Sequence, residues 1–182
     1  MSINNKIRKP FNSIKVYINM HDMTIKSERT LCFLIREDNI LLSKKLLRHG
    51  AGKYNGYGGG LKQVESPEQA AVRELIEEST VDASIFDLDK RAIIEFYFPH
   101  EQKYNQRVHI YFLDEWSGTP TKTKEMGSPK WFSMNNIPYS KMWASDKEWL
   151  PYLIEGKKIK ATFVWTKDRE VASRDIDIVN SF

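Results

Sequence analysis

Glu74, Glu77 and Glu78 stand at positions i, i+3 and i+4. On a helix this spacing puts three carboxylates on one face, where like charges repel by about 0.2–0.5 kcal/mol per pair. A hard divalent cation compensates such a set, because Mg²⁺ prefers carboxylate oxygens and water. Arg73 is adjacent and can pin one carboxylate through a charge-assisted fork. Glu65 lies eight residues earlier, where a loop can bring it to the same cluster. On these residues alone the other reading, a solvated acidic helix face with Lys and Arg counterions, stays open.

The helix that must carry this face has a clear start. Ser66 suits the N-cap, Pro67 the first helical position, and Gln69 completes a capping box. Ala70, Ala71, Leu75 and Ile76 supply an apolar side, and the helix is expected to run from Pro67 to about Ser79. Six glycines fall between Gly50 and Gly60, marking a loop whose backbone can approach a ligand closely. Strands are expected over Thr30–Ile35 and Ile40–Leu47, joined by a turn at residues 37–39, and over Arg91–Phe98 and Val108–Trp116, all rich in β-branched and aromatic residues. Lys130–Ser133 reads as a short strand, Asp146–Ile154 as a second helix, and Lys158–Thr166 with Val171–Val179 as a closing hairpin. Residues 14–18 alternate with period two and suggest an added strand in an N-terminal extension over 1–28. The domain proper is expected over 29–182. A helix set between groups of strands suggests an α/β fold with a mixed sheet rather than a doubly wound one.

Composition excludes several classes. The chain has 182 residues, 41% hydrophobic and 29% charged, with mean hydropathy −0.54. Collagen-like, low-complexity and wholly disordered chains are excluded. No apolar run approaches the roughly 18 residues of a membrane helix, so no membrane partner is expected. Net charge is +4, but the basic residues are dispersed, so a nucleic-acid interface is not expected either. Cys32 is the only cysteine. It excludes an internal disulfide and reads as a core thiol within an apolar stretch. With no apolar secretory segment at the start, a cytoplasmic location is expected. His100 and His109 lack metal-ligand spacing, and His109 reads as a strand side chain. The oligomeric state is not legible.

Gly59, Glu65, Arg73-Glu74-Leu75 and Glu77-Glu78 resemble the Nudix box, G-x5-E-x7-R-E-U-x-E-E-x-G-U, with Leu75 and Val81 in the aliphatic slots. Outside it, residues 50–59, Pro129–Phe132, Ile137–Tyr139 and Lys141–Trp143 are similar to the animal oxidized purine nucleoside triphosphate hydrolases of MutT type. The resemblance implies the Nudix fold, a mixed-sheet α/β/α sandwich. It also implies Mg²⁺-dependent hydrolysis, with Mn²⁺ as a substitute, of a nucleotide such as 8-oxo-dGTP to the monophosphate and pyrophosphate. That chemistry needs little from the protein covalently, since metal ions neutralise the phosphate oxygens and a carboxylate positions the water.

The resemblance further implies roles. Glu74, Glu77 and Glu78 would hold the metal, with the Gly59 carbonyl beside them and Glu125 on a facing loop. One of these glutamates, or Glu65, would act on the attacking water, and Arg73 would fix a carboxylate. Asn55 would meet the purine edge, Trp143 would stack on the base, Asp146 would hydrogen-bond to it, and Lys45 and His49 would complete the substrate pocket. Three positions depart from the pattern. Thr80 replaces the box glycine, at a helix exit that favours positive φ. Ser145 replaces the first of two aspartates that follow the tryptophan. His49 replaces a phenylalanine. Another nucleoside diphosphate derivative, such as ADP-ribose, or a capped RNA end is the alternative substrate, and a non-catalytic binding module the alternative function. That module would be marked by missing box carboxylates, whereas Glu65, Glu74, Glu77 and Glu78 are all here.

Overall fold

A computed structural model describes residues 23–182. The strand expected over residues 14–18 lies outside the described residues. The helices and strands are, in order, β1 (Ser27–Arg36), β2 (Asn39–Lys44), β3 (Tyr54–Asn55), α1 (Pro67–Ser79), β4 (Asp89–Tyr97), β5 (Gln106–Leu113), β6 (Lys130–Ser133), α2 (Asp146–Ile154), β7 (Lys158–Trp165) and β8 (Val171–Val179), all expected but β3.

The strands make one mixed sheet in the order β3-β2-β1-β5-β4-β7-β8, with β6 also paired to β2. β1 runs parallel to β5 and β4 parallel to β7, while the other pairs are antiparallel. The strands' period of two sorts the core onto two faces. Cys32, Leu34, Tyr111 and Leu113 point to the face covered by Ala71 and Leu75 of α1. Phe33, Ile110, Phe112 and Phe163 point to the other, covered by Trp149, Leu150 and Leu153 of α2. The result is the three-layer α/β/α arrangement expected. β8 closes one edge with exposed Arg174, Asp175 and Asp177, charges that discourage pairing with another chain. No helix among the described residues is long and apolar enough to cross a membrane.

Several boundaries differ from the sequence reading: β1 starts at Ser27 rather than Thr30, β4 covers Asp89–Tyr97 rather than Arg91–Phe98, and β7 ends at Trp165 rather than Thr166. β2 stops at Lys44; beyond it Lys45 makes an isolated bridge to Met126, and its backbone bonds to Gly52 and Lys53 as the chain turns. β5 stops at Leu113, where Asp114 and Glu115 lead into the following loop and Trp116 stacks under Arg36 instead. The glycine-rich loop also contains a two-residue strand, β3, paired to Ser43 and Lys44.

α1 carries the capping box complete: the Gln69 N–H donates to Ser66 Oγ, and the Ser66 N–H donates to Gln69 Oε1. Its end is the expected tight spot. Thr80 adopts the left-handed conformation, φ 64 and ψ 16, that the box glycine would take without strain. Its backbone N–H still caps the Ile76 carbonyl at 3.0 Å.

Candidate active site

Arg73 organises the carboxylates on α1. Its Nε donates to Glu65 Oε1 at 2.7 Å and its Nη2 to Glu65 Oε2 at 2.9 Å. Its Nη1 reaches Glu74 at 2.7 Å and Glu77 at 3.3 Å, and Nη2 also meets the Gly60 carbonyl at 3.0 Å. One guanidinium therefore ties the loop acid to the helix face. The guanidinium hydrogen bonds, together with the Lys62 backbone N–H, hold the Glu65 carboxyl down at about 2. Glu77 is the outermost of the set, its side chain 52% exposed, and also meets Lys62.

Glu78 faces inward and is 3% exposed. The Gly58 N–H donates to its Oε2 at 2.8 Å, and Lys45 Nζ lies 3.6 Å from Oε1. Burial raises the Glu78 carboxyl above the usual range, and the neighbouring charges of Glu74 and Glu125 push it the same way. Glu125 is brought there by a loop laid along the end of α1: Thr121 N–H donates to the Ser79 carbonyl and Thr123 Oγ1 to the Glu78 carbonyl. Its carboxylate lies 3.4 Å from Arg48. Gly59 is packed so tightly that a Cβ would stand 2.5 Å from Glu74 Cδ. Its carbonyl accepts the Thr30 N–H at 2.8 Å, which leaves it one lone pair.

The donors suit a hard cation: all are oxygens, and the most buried carboxylate is short of positive charge. Their arrangement is looser than a metal shell. Among the described residues no three carboxylate, imidazole or thiolate groups surround one point closely enough to hold an ion. The reason is visible in the ion pairs, since Arg73, Lys45, Lys62 and Arg48 each draw a carboxylate to themselves.

A pocket of about 210 Å³ opens beside this cluster, between the sheet and the start of α2. Lys45, His49, Asn55, Trp143 and Asp146, the five residues singled out for substrate, all line it. Lys45 and Gly58 link its wall to Glu78. Asp146 opens α2 and is 5% exposed. It accepts the Trp143 N–H at 3.0 Å and faces the Ser145 hydroxyl at 3.4 Å, while the Trp149 indole N–H stays outside hydrogen-bond geometry. Burial pushes its carboxyl up to about 7, despite the Trp143 N–H. Ser145 is also buried here, so the position beside Asp146 offers a hydroxyl and no second carboxyl.

His49 lies in a stack. Its ring centroid is 4.8 Å from that of Trp143 and 5.2 Å from that of Tyr104, tilted by 29° and 13°. A base that stacks on this face of Trp143 must move His49 aside. Burial and the charges of Arg169 and Arg29 keep the imidazole below its ordinary value, so the plate is neutral at neutral pH. Sequence reasoning missed Tyr104, Phe96, Phe98 and Thr30. Phe96 was legible as one face of β4. Tyr104 sits in a short 3₁₀ turn with no periodic signal. Thr30 is notable because its buried Oγ1 has no partner and lies at the pocket wall.

The NUDIX domain model matches residues 26–153. The chain is 35% identical over 153 residues to the mouse oxidized purine nucleoside triphosphate hydrolase, covering 84% of this chain and 96% of the mouse protein. To the zebrafish protein of the same name it is 38% identical over 152 residues, covering 82% and 94%. The crystal structure of the mutator MutT protein from Bacillus halodurans superposes with a TM-score of 0.72 at 22% identity, covering 83% of this chain and 97% of that one, and so shares the fold. With the domain matched over most of its length, the chain belongs to the NUDIX domain family of hydrolases.

Proposed function

We propose that this chain hydrolyses oxidised purine nucleoside triphosphates, with 8-oxo-dGTP as the type substrate, to the monophosphate and pyrophosphate. It thereby clears damaged nucleotides from the pool, and it does so in the cytoplasm. The observation that carries the reading is the continuity between an aromatic pocket and the carboxylate helix, through Lys45 and Gly58. The names of the mouse and zebrafish relatives support the choice of substrate.

Nudix hydrolases work with a divalent cation. In this chain Glu74, Glu77 and Glu78 would hold Mg²⁺ or Mn²⁺, with the remaining lone pair of the Gly59 carbonyl and with Glu125. Bound there, the cation would neutralise charge on the phosphoanhydride oxygens. Glu65 is a positioning residue, because both of its oxygens are engaged by Arg73. Glu77 is the carboxylate with the freedom to meet a water molecule. In the pocket Asn55 and Asp146 read the purine edge, and Trp143 supplies a stacking surface worth about 1–3 kcal/mol per base.

The test is pyrophosphate release in Mg²⁺ with 8-oxo-dGTP, 2-oxo-dATP, dGTP and ADP-ribose, and with Glu77→Gln as control. A kcat/KM preference of about tenfold or more for an oxidised purine triphosphate is expected, about 1.4 kcal/mol of discrimination. Activity on ADP-ribose alone, or equal activity on all triphosphates, sinks the substrate assignment.

A further inference from the structure

We propose that Arg29 binds the phosphate chain of the substrate where that chain leaves the base pocket. The inference rests on the nucleotide reading above and adds to it a residue that the box does not include.

Arg29 sits near the start of β1, on the same side of the strand as Leu31 and Phe33, the side on which the pocket opens. It lines the pocket, half-buried, and its charge reaches His49. Its backbone bridges to Gly60, one residue beyond the glycine packed on Glu74. The side chain therefore starts level with the box and lines the adjoining pocket.

Arg29 differs from its paired neighbours, among the described residues, in having no carboxylate against it. Four other cations near the cluster are already paired with acids. Lys45 lies 3.6 Å from Glu78, Arg48 3.4 Å from Glu125, Lys62 3.3 Å from Glu77 and Arg73 2.7 Å from Glu65. Among the described residues Arg29 has no acidic partner. A half-buried guanidinium without a counterion gives up hydration for nothing in the free protein. A triphosphate carries more negative charge than one metal site absorbs, and a guanidinium fork matches a phosphoryl group at two points. The surplus cation in the wall and the surplus charge on the ligand are complementary.

The experiment measures binding to the full chain in Mg²⁺ by calorimetry, for wild type, Arg29→Met and Arg29→Lys, with thermal unfolding to verify that each variant folds. The probes are 8-oxo-dGMP, the nucleoside 8-oxo-deoxyguanosine, and inorganic tripolyphosphate. Arg29→Met is expected to weaken 8-oxo-dGMP and tripolyphosphate by about tenfold each while leaving the nucleoside within about twofold. Arg29→Lys should recover part of the loss, since it keeps the charge without the fork. Undiminished binding of both phosphate-bearing probes to Arg29→Met overturns the proposal. So does an equal loss for the nucleoside, which would make Arg29 part of the base pocket's structure. Should wild type bind tripolyphosphate but not 8-oxo-dGMP, the base assignment fails and the tripolyphosphate comparison still decides the role of Arg29.

Discussion

Arg73 grips Glu65 at two points, Nε on Oε1 and Nη2 on Oε2, and so fastens the loop before α1 to the helix that carries the other carboxylates. A lysine delivers the charge but not the fork. Arg73→Lys is therefore expected to lower kcat/KM by about 10–100-fold, the usual cost of losing a group that orients ligands. Glu65 itself is lowered to about 2, so its contribution to stability is present above the ordinary 4.5 and is lost as pH falls toward 2. In acid unfolding, the stability advantage of wild type over Glu65→Gln should hold above pH 4.5 and shrink below it. An advantage that grows on acidification would contradict this assignment.

Glu78 behaves in the opposite sense. Its carboxyl is raised by burial, so without metal the folded chain holds this proton more tightly than the unfolded chain, and stability falls as pH rises past 4.5. A cation at the cluster reverses the effect by binding the ionised form in the folded state. Without metal at pH 8, Glu78→Gln should melt at or above the temperature of wild type. Mg²⁺ should stabilise wild type more than the variant, and the variant should lose about 100-fold or more in kcat. Equal stabilisation of both proteins by Mg²⁺ would remove Glu78 from the metal set.

Much of this arrangement is legible in the chain, for identifiable reasons. The helix can be read because Ser66, Pro67 and Gln69 are local signals acting within one turn, and its carboxylate face follows from spacing alone. The pocket residues Asn55, Trp143 and Asp146 are legible only by resemblance, since no local pattern brings the glycine-rich loop to the start of α2; the pairing of β1 with β2 and β5 does that. The ends of β2 and β5 are misjudged because Leu46, Leu47 and Trp116 look like strand residues. Their positions are set by contacts distant in sequence: the Leu46 N–H with the Glu125 carbonyl, and Trp116 with Arg36. The loose spread of the carboxylates is likewise invisible in a motif, because it depends on which lysine or arginine each one faces.

Gly59 gives a purely steric prediction. A Cβ there would stand 2.5 Å from Glu74 Cδ, inside any tolerated contact, with Arg73 holding the carboxylate in place. Gly59→Ala should displace Glu74 and lower kcat by about 100-fold or more, as misplaced catalytic geometry does. Far-ultraviolet circular dichroism should remain that of wild type. Wild-type turnover would mean that Glu74 has room to move without consequence.

Thr80 tests what the departure from the box glycine costs. The left-handed conformation costs a non-glycine residue about 1–2 kcal/mol. Against this, its hydroxyl meets Thr121 Oγ1 at 2.9 Å and the Thr119 carbonyl at 3.3 Å, contacts worth about 0.5–1.5 kcal/mol. Thr80→Val keeps the strain and loses the hydroxyl, so it should destabilise by about 1 kcal/mol in urea titration. Thr80→Gly loses both and should stay close to wild type. A glycine variant as unstable as the valine variant would show that the hydroxyl, not the backbone, dominates.

Asp146 links pH to base recognition. Its carboxyl is pushed up from 3.8 to about 7 by burial, so the folded chain favours the neutral acid, and stability is lost as pH rises between those two values. Asp146→Asn keeps the shape and stays neutral. It should be more stable than wild type at pH 8 by on the order of 1–4 kcal/mol, because each tenfold change in proton affinity is worth about 1.36 kcal/mol, and should show no such gain near pH 4. The same titration alters what the pocket offers a purine edge. Below about 7 the carboxyl can donate a hydrogen bond, and above it the carboxylate only accepts. With Ser145 alongside, no second carboxyl compensates. KM for an oxidised purine triphosphate should therefore shift between pH 6 and 8 in wild type and stay flat in Asp146→Asn. A KM profile that shifts identically in both would assign the titration to the substrate or to another residue.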